Sequence, residues 1–537
     1  MRNKKKLNLI SAAALLIGAL AACGIAPNSQ GAVQRDATPP YSQSASNQPA
    51  VDIAEPSFEE QSLGRGVILA LNSETPSVAP ARHTALIGAY KNDMTHSGLF
   101  RMRYDVMEPI PNLITGWTAL SDTLFEFTLR EDVFFHNGDK MTAYDVAASL
   151  DYVRTHPEAR AFHGSVAGWE AVGPYTVIID TGVPDSRLFF DLSAHSNFIM
   201  PIGLIEAGHD FTIEPIGSGP FVFDEWIHGD SLTFRAFENY FDTERTARVE
   251  YVTWRIIPEG ASRTIALEAS EVDFIMDVSF PDIPRMEANP NLTVFMRPGN
   301  TFQYFIFNND NPKFQNIYVR HAIDMALDRE AMLIASLDGY GIPIWHAMPP
   351  MFVGASDEGI RSFDPEGARV LLAREGIDPA SLAFDMLAFN EEQRRRAEVA
   401  QSNLLDIGIP TTITMIDFAA WLTFTLGDNF DTSFANFTVS NLQTLMRSLM
   451  HRDNINVQNR ARKDNQELSD LIDRAIATID AAERNAVLKE ASRIANEYAG
   501  FLGTNMTMIV RAFNSNLIVP EIAANGSTSL NMIYWTD

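Results

Sequence analysis

A single cysteine, Cys23, stands in a chain of 537 residues, so no disulfide can staple the fold from within. Whatever forms must be held by non-covalent interactions. That lone thiol has four ordinary roles: a buried structural group, a nucleophile, a metal ligand or a site of modification. Its position near the N-terminus decides among them.

Upstream of Cys23 come a basic stretch, MRNKKK, an apolar run, LNLISAAALLIGA, and the small-residue step LAAC. These are the three parts of a secretory signal, occupying residues 1–22. The apolar run falls short of the roughly 20 residues a permanent membrane span needs. Leu20-Ala21-Ala22-Cys23 resembles the bacterial lipobox. That resemblance implies that Cys23 takes a diacylglycerol on sulfur and becomes the mature N-terminus. In an ordinary signal Cys23 would have no role. Residues 23–62 are rich in Pro, Ser, Gln, Asn and Ala and lack apolar periodicity, which predicts a disordered tether.

The remaining stretch of about 475 residues is too long for one simple core and predicts two or three domains. The hydrophobic content of the whole chain, 46%, is that of a globular protein, and no second long apolar run appears. The net charge of −27 becomes −31 once the signal, with four cations and no acids, is removed. Such a surface repels nucleic acid and anionic lipid.

The pattern is α/β. LFEFTL (residues 124–129) and SLTFRA (231–236) alternate as half-buried strands; VILAL (67–71), YVTWRII (251–257) and FQYFIF (302–307) are more continuous and predict central ones. Asp364-Pro365 opens a helix that Gly376 closes. In EEQRRRAEVAQSNLLDIG, Ala397, Ala400, Leu404 and Ile407 share a face, and Gly408 stops the helix. Residues 465–498 predict two helices broken near Asp480.

Four blocks in one order carry a resemblance. They are PNLITGWTALSDTLFEFTLREDVFFHNGDKMTAYDVAASLDYVR (111–154), PIGSGPFVFDEWIHGDSLTFRAFENYF (215–241), FQNIYVRHAIDMALDREAML (314–333), and the helix ending LLDIGI with the strand after it. Together they resemble the family-five extracellular solute-binding proteins of ABC importers, over about residues 65–515. Each block also has a structural reading. In Phe134-Phe135-His136-Asn137-Gly138 the aromatics face inward, His136 is a hydrogen-bonded turn residue, and Gly138 supplies the turn. Gly217-Ser218-Gly219-Pro220 lacks the Gly-Lys-Ser/Thr of a phosphate loop and predicts a close backbone approach. Arg320 and Asp328, on a helix with Val319, Ala322, Ile323 and Ala326 inward, pair or cap.

The resemblance implies an α/β, two-lobed fold of the periplasmic-binding-protein type II, hinged, in the large peptide-binding variant with an extra subdomain. Lobe I would hold residues 63–298, with a subdomain inserted at about 99–212, plus the C-terminal return 504–537. Lobe II would hold 299–503, with 302–307 and 505–510 near the hinge. Ligand is enclosed between the lobes and handed to a permease and ATPase; no bond is made or broken, and no cofactor is needed. The protein would be a monomer on the outer face of the cytoplasmic membrane, anchored by lipid alone.

For the ligand, the resemblance assigns Thr84 in lobe I, Gln303 and Tyr304 on a crossing strand, an aromatic wall at Phe418 and Trp421, and Phe437, Thr438, Ser440 and Asn441. Dipeptide-type relatives offer a carboxylate to the ligand ammonium where Ser440 stands here, with Asn441 beside it. MLAFN (386–390) lacks their arginine for the ligand carboxylate, and Arg394–Arg396 fall on a helix start, solvated. A buried ammonium without a carboxylate is costly, so an oligopeptide held by its backbone is expected over a free dipeptide. Asp428 or Asp431 is an alternative source of the missing charge. A stacked oligosaccharide, a metal chelate with His346 or His451, and a sensor or adhesin role stay open. No Gly-x-Ser-x-Gly, His-Glu-x-x-His, cysteine nucleophile or phosphate loop points to an enzyme.

Overall fold

The computed structural model describes residues 64–536 except 76, 82–85, 104–107, 157–163, 194–197, 428 and 440. The signal, Cys23, the tether, Thr84, Asp428 and Ser440 lie outside the described residues.

Two long strands, Leu292–Phe307 and Phe501–Asn514, pair antiparallel along almost their whole lengths. They form the middle of an 11-stranded sheet. On one side lie Thr432–Thr438, Phe384–Ala388 and Thr411–Met415; on the other lie Phe274–Ile275, Val67–Leu71, Tyr251–Ile256, Ser231–Ala236 and Phe221–Ile227. The short strand Gly341–Pro343 also pairs with Phe501–Asn514. Each wing has a parallel centre: Val67–Leu71 runs parallel to both its neighbours, as does Phe384–Ala388. Parallel neighbours need crossover connections, which is why helices alternate with strands throughout.

Both faces of the sheet are covered beside the crossing strands. Phe302, Tyr304 and Ile306 enter one core with Leu445, Met446 and Leu468; Phe305 and Phe307 enter another with Phe314, Val319 and Ile323. Double burial explains why FQYFIF reads as continuous apolar sequence rather than as alternation. A third core gathers around Trp254, with Leu69, Phe234, Phe274, Phe513 and Trp535.

Between Val67–Leu71 and Phe221–Ile227 the chain builds a separate four-stranded antiparallel sheet. Its strands run in the order Ile114–Ala119, Leu124–Leu129, Thr176–Asp180 and Gly168–Gly173, and helix Ala143–Thr155 packs with them. Its own core contains Phe100, Phe127, Phe135 and Leu150. Only Phe135 of the expected inward pair is buried; Phe134 is 41% exposed, since adjacent residues on an extended segment point opposite ways. Gly138 has a φ of +89°.

Several structural readings of the motifs are realised. A Cβ on Gly217 would overlap the Thr95 carbonyl oxygen, and one on Gly219 would overlap that of Met94, so this loop lies directly on the end of helix Leu86–Thr95. Asp328 caps helix Arg329–Leu337 through the Ala331 N–H at 2.9 Å. Arg320, on the preceding helix Ile317–Ala326, pairs with no carboxylate among the described residues; it binds the carbonyls of Phe314, Gln315, Tyr498 and Ala499. One helix was expected where two stand, because the chain turns extended at Leu327.

His136 anchors the same Gly-rich loop. Its Nε2 donates to the Gly219 carbonyl at 3.0 Å while Nδ1 faces the Gly217 N–H at 3.5 Å, an arrangement that requires the neutral ring. Burial pushes its pKa down to about 4, with the Gly219 carbonyl pulling weakly upward. Because the native pKa lies below the unfolded value of about 6.5, the stability it contributes is present above pH 6.5 and lost as pH falls toward 4. Urea unfolding of the wild type and His136→Gln across that window should differ in slope, by at most about 3 kcal/mol in total. Gly219→Ala should cost about 2–3 kcal/mol in the same assay at neutral pH, from backbone overlap.

Candidate functional site

The crossing strands lose register between Pro298 and Phe302, leaving Gly299, Asn300 and Thr301 as an irregular step. A Cβ on Gly299 would come within 3.0 Å of the Thr507 carbonyl oxygen, so the neighbouring strand passes closely here. Asn300 is the junction. Its N–H donates to the Ala524 carbonyl at 2.8 Å, its carbonyl accepts from the Val439 N–H at 3.0 Å, and its Nδ2 donates to the Val439 carbonyl at 2.6 Å. One residue therefore ties the crossing strand to the C-terminal segment and to the end of strand Thr432–Thr438.

At that strand end the chain enters helix Leu442–Met450, whose first turn is capped by Asn441 through the Thr444 N–H at 2.8 Å. Asn436 and Thr438 are exposed and Phe437 is half-buried. The structure thus brings Phe437, Thr438 and Asn441 together beside the register break, but it spends the Asn441 carbonyl on the cap. Thr438 Oγ1 lies 3.1 Å from Thr301 Oγ1, an exposed hydroxyl pair across the strands.

Phe418 and Trp421 open helix Phe418–Leu426 and stack on one another, with centroids 5.8 Å apart and planes at 14°. Their environments differ. Phe418 is 54% exposed; Trp421 is 5% exposed, and its Nε1 donates to Ser433 Oγ at 2.7 Å. Only Phe418 presents a ring to solvent.

Gln303 and Tyr304, adjacent on one strand, point to opposite faces and line no common surface. Tyr304 stacks on Phe302 at 5.1 Å inside the core, and burial pushes its hydroxyl well above the usual tyrosine pKa. Gln303 donates to Glu392 Oε1 at 2.9 Å, and the same oxygen accepts from Arg396 at 2.8 Å. Arg396 is therefore buried, not solvated: Glu392 sits one helical turn before it, and its guanidinium covers the Phe434 ring at 5.6 Å. Asp431 cannot replace the missing carboxylate at Ser440. It precedes the first residue of the seven-residue strand that Thr438 ends, roughly 23 Å away at extended spacing, and it binds Asn311 and Lys313. His451 is buried and bonded to Asp473, and His346 donates to Asp357; among the described residues no three His, Cys, Asp or Glu side chains are placed to hold a metal.

Sequence reasoning did not find a second feature. A cavity of about 100 Å³ opens between the end of helix Leu86–Thr95, the hairpin of Phe100–Arg103 with Glu108–Pro111, and the C-terminal residues 528–531. Arg101, Tyr240, Arg245 and Ser529 line it. These residues are drawn from three distant stretches, and no motif announces them.

Stability should separate the aromatic pair. Trp421→Ala is expected to cost about 3–5 kcal/mol and Phe418→Ala about 1 or less, with Asn441→Ala near 1 from the lost cap, all read by urea unfolding.

The comparisons with known proteins agree with this architecture. The chain matches, over residues 108–455, the family model of bacterial extracellular solute-binding proteins, family 5 (middle). It is similar to the glutathione-binding protein GsiB of Salmonella paratyphi A, 26% identical over 361 residues that cover 66% of this chain and 70% of that protein. Its fold matches HbpA2 from Haemophilus parasuis with a TM-score of 0.80 at 20% identity, covering 88% of this chain and 100% of the other. It also matches the ABC transporter-associated periplasmic binding protein DppA from Helicobacter pylori, solved in complex with peptide STSA, with a TM-score of 0.74 at 20% identity over 88% and 98% of the two chains. The fold is thus the two-lobed type II arrangement, and the chain belongs to the family-5 bacterial extracellular solute-binding proteins of ABC importers.

Proposed function

We propose that this protein captures an extracellular peptide between two lobes and delivers it to an ABC permease. Lobe I comprises residues 63–298 with the return 504–537, the subdomain at about 99–212 is inserted in it, and lobe II comprises 299–503. The observation that carries the reading is the broken register of the crossing strands. The long strand pair shifts register twice, between Pro298 and Phe302 and again between Gln303 and Tyr304, and the first shift leaves Gly299 to Thr301 outside the ladder with Phe501–Asn514, where a change of angle breaks no bond of that ladder.

Closure has a second point of contact. The inserted subdomain reaches the end of helix Gln466–Ala477, where the Ser186 N–H donates to the Ile476 carbonyl at 2.8 Å and its hydroxyl to that of Ala475 at 3.4 Å. Ligand enclosed between the lobes is bordered by Thr84, Phe418 and the Phe437–Asn441 segment. With the Asn441 carbonyl engaged in its cap and Asp431 at the far end of the strand, an oligopeptide held by its backbone is favoured over a free dipeptide held by its ends. The ligands named for relatives, glutathione and the peptide STSA, support a peptide-like cargo. Such binding makes or breaks no bond. Cys23 carries the lipid, and the tether 23–62 holds the body away from the outer face of the cytoplasmic membrane. Among the described residues no helix is long and apolar enough to cross a membrane.

Native mass spectrometry of the purified full-length chain, followed by denaturation and identification of whatever is released, tests the cargo. A peptide series or glutathione supports the proposal; a sugar or a metal chelate overturns the peptide assignment. Cys23→Ala should move the protein from the membrane fraction to the soluble fraction without changing its melting temperature.

A further inference from the structure

The cavity beside Arg101 holds a partly buried cation with no bonded partner among the described residues. Arg101 is half-buried on strand Phe100–Arg103, yet among the described residues its guanidinium makes no hydrogen bond and no ion pair. Its neighbour Arg245 is fully engaged. Arg245 donates to both Glu521 oxygens at 2.8 and 2.9 Å and to Ser529 Oγ at 2.9 Å, and Ser529 in turn donates to Glu521 at 2.5 Å. Glu521 therefore has little left to offer Arg101. Burial pushes the Arg101 pKa down and the Arg245 charge adds to that; Glu521, Asp242 and Tyr240 pull it partly back from a distance.

A desolvated guanidinium without a bonded partner is costly, and its planar fork matches a carboxylate. The space fits. A water requires about 10–15 Å³, so a cavity of about 100 Å³ holds several waters or one short acidic arm. Of the hydroxyls lining it, Ser529 and Ser97 already donate to Glu521 and to the Ser218 carbonyl, which leaves that of Tyr240 beside Arg101. The cavity is also tied to the hinge. Its wall residue Thr528 stands four residues after Ala524, which accepts from Asn300, and four extended residues span no more than roughly 14 Å. The cavity wall therefore belongs to the C-terminal segment that Asn300 ties to the end of strand Thr432–Thr438.

We propose that this cavity receives a carboxylate of the captured ligand, with Arg101 as its counter-charge, so that the protein selects acidic peptides. The proposal rests on the peptide reading above and adds the charge class of the cargo. In a chain of net charge −27, an anionic ligand needs such a local cation to offset the repulsion of the surface.

The test uses the full-length protein, calorimetric titration, and three pairs of tripeptides in which Glu or Gln occupies each position of an otherwise alanine chain. The wild type should bind at least one Glu peptide tenfold or more tighter than its Gln twin. Arg101→Met should erase that preference, so that the two members of each pair bind alike, and Arg101→Lys should keep part of it. Equal binding of every pair by the wild type, or a preference that survives Arg101→Met, overturns the proposal. Glutarate alone separates this result from failure of the peptide reading. If no peptide binds, but glutarate raises the melting temperature of the wild type and of Arg101→Lys and not that of Arg101→Met, the carboxylate site stands and the peptide assignment falls. If glutarate also has no effect, the site falls with it.

Discussion

Everything else in this molecule hangs on the pairing of Leu292–Phe307 with Phe501–Asn514. These strands are the only ones among the described residues that belong to both wings of the large sheet. Each half of the pair is stabilised differently. Toward Phe307 the strands are buried on both faces, and stacked rings such as Phe302 on Tyr304 hold them. Toward Leu292 they are anchored by arginines: Arg297 donates to the Ile522 carbonyl, and Arg511 to those of Met276 and Gly526. The C-terminal segment is thus clamped to one wing by side chains of the crossing strands themselves. Between these regimes lies the step at Gly299–Thr301, where the ladder with Phe501–Asn514 loses register and the Asn300 hydrogen bonds take its place.

Arginine performs the same service elsewhere. Arg329, fully buried, pairs with Asp324 and binds the carbonyls of Ile344, Gly503, Asp324 and Leu327, while Arg361 takes the other Asp324 oxygen. Arg263 binds the carbonyls of Ile257, Pro258 and Asp277. Five donors in a rigid fork let one side chain satisfy several loop carbonyls that would otherwise be buried without partners. The Val-Arg and Asp-Arg positions of the third sequence block are therefore architectural. They explain why that block identifies the fold and is silent about the cargo.

Local rules were legible where local energy decides the outcome. Strands Val67–Leu71, Leu124–Leu129 and Ser231–Ala236, the Asp364 cap with Gly376 at φ +67°, and the Asp480 cap between two helices all follow from periodicity and punctuation. The expected strand covered only residues 302–307, whereas the strand runs from Leu292 to Phe307 across the irregular step after Pro298. Arg396 was misjudged because a run of three arginines reads as a solvated face, whereas only the i−4 Glu392 makes its burial tolerable. The site was the least legible part. Adjacent Gln303 and Tyr304 are separated by the pleat, and the Arg101 cavity joins residues from positions near 100, 245 and 529. Chain order carries no trace of such a meeting.

Charge placement then distinguishes this protein from the dipeptide-type pattern its sequence resembles. That pattern puts a carboxylate at the end of the strand beside the hinge and an arginine nearby in the same lobe. Here the strand end offers Thr438 and a neutral helix cap, while a guanidinium without a bonded partner among the described residues, Arg101, lines a separate cavity. The fold tolerates this exchange because neither position supports it: Thr438 is exposed and Arg101 bonds to nothing among the described residues, so both are free of the packing that fixes Tyr304 or Arg329. In the function proposed here, closure belongs to the crossing strands and selection to a few side chains that the core does not need, so that a ligand could change without a change of shape.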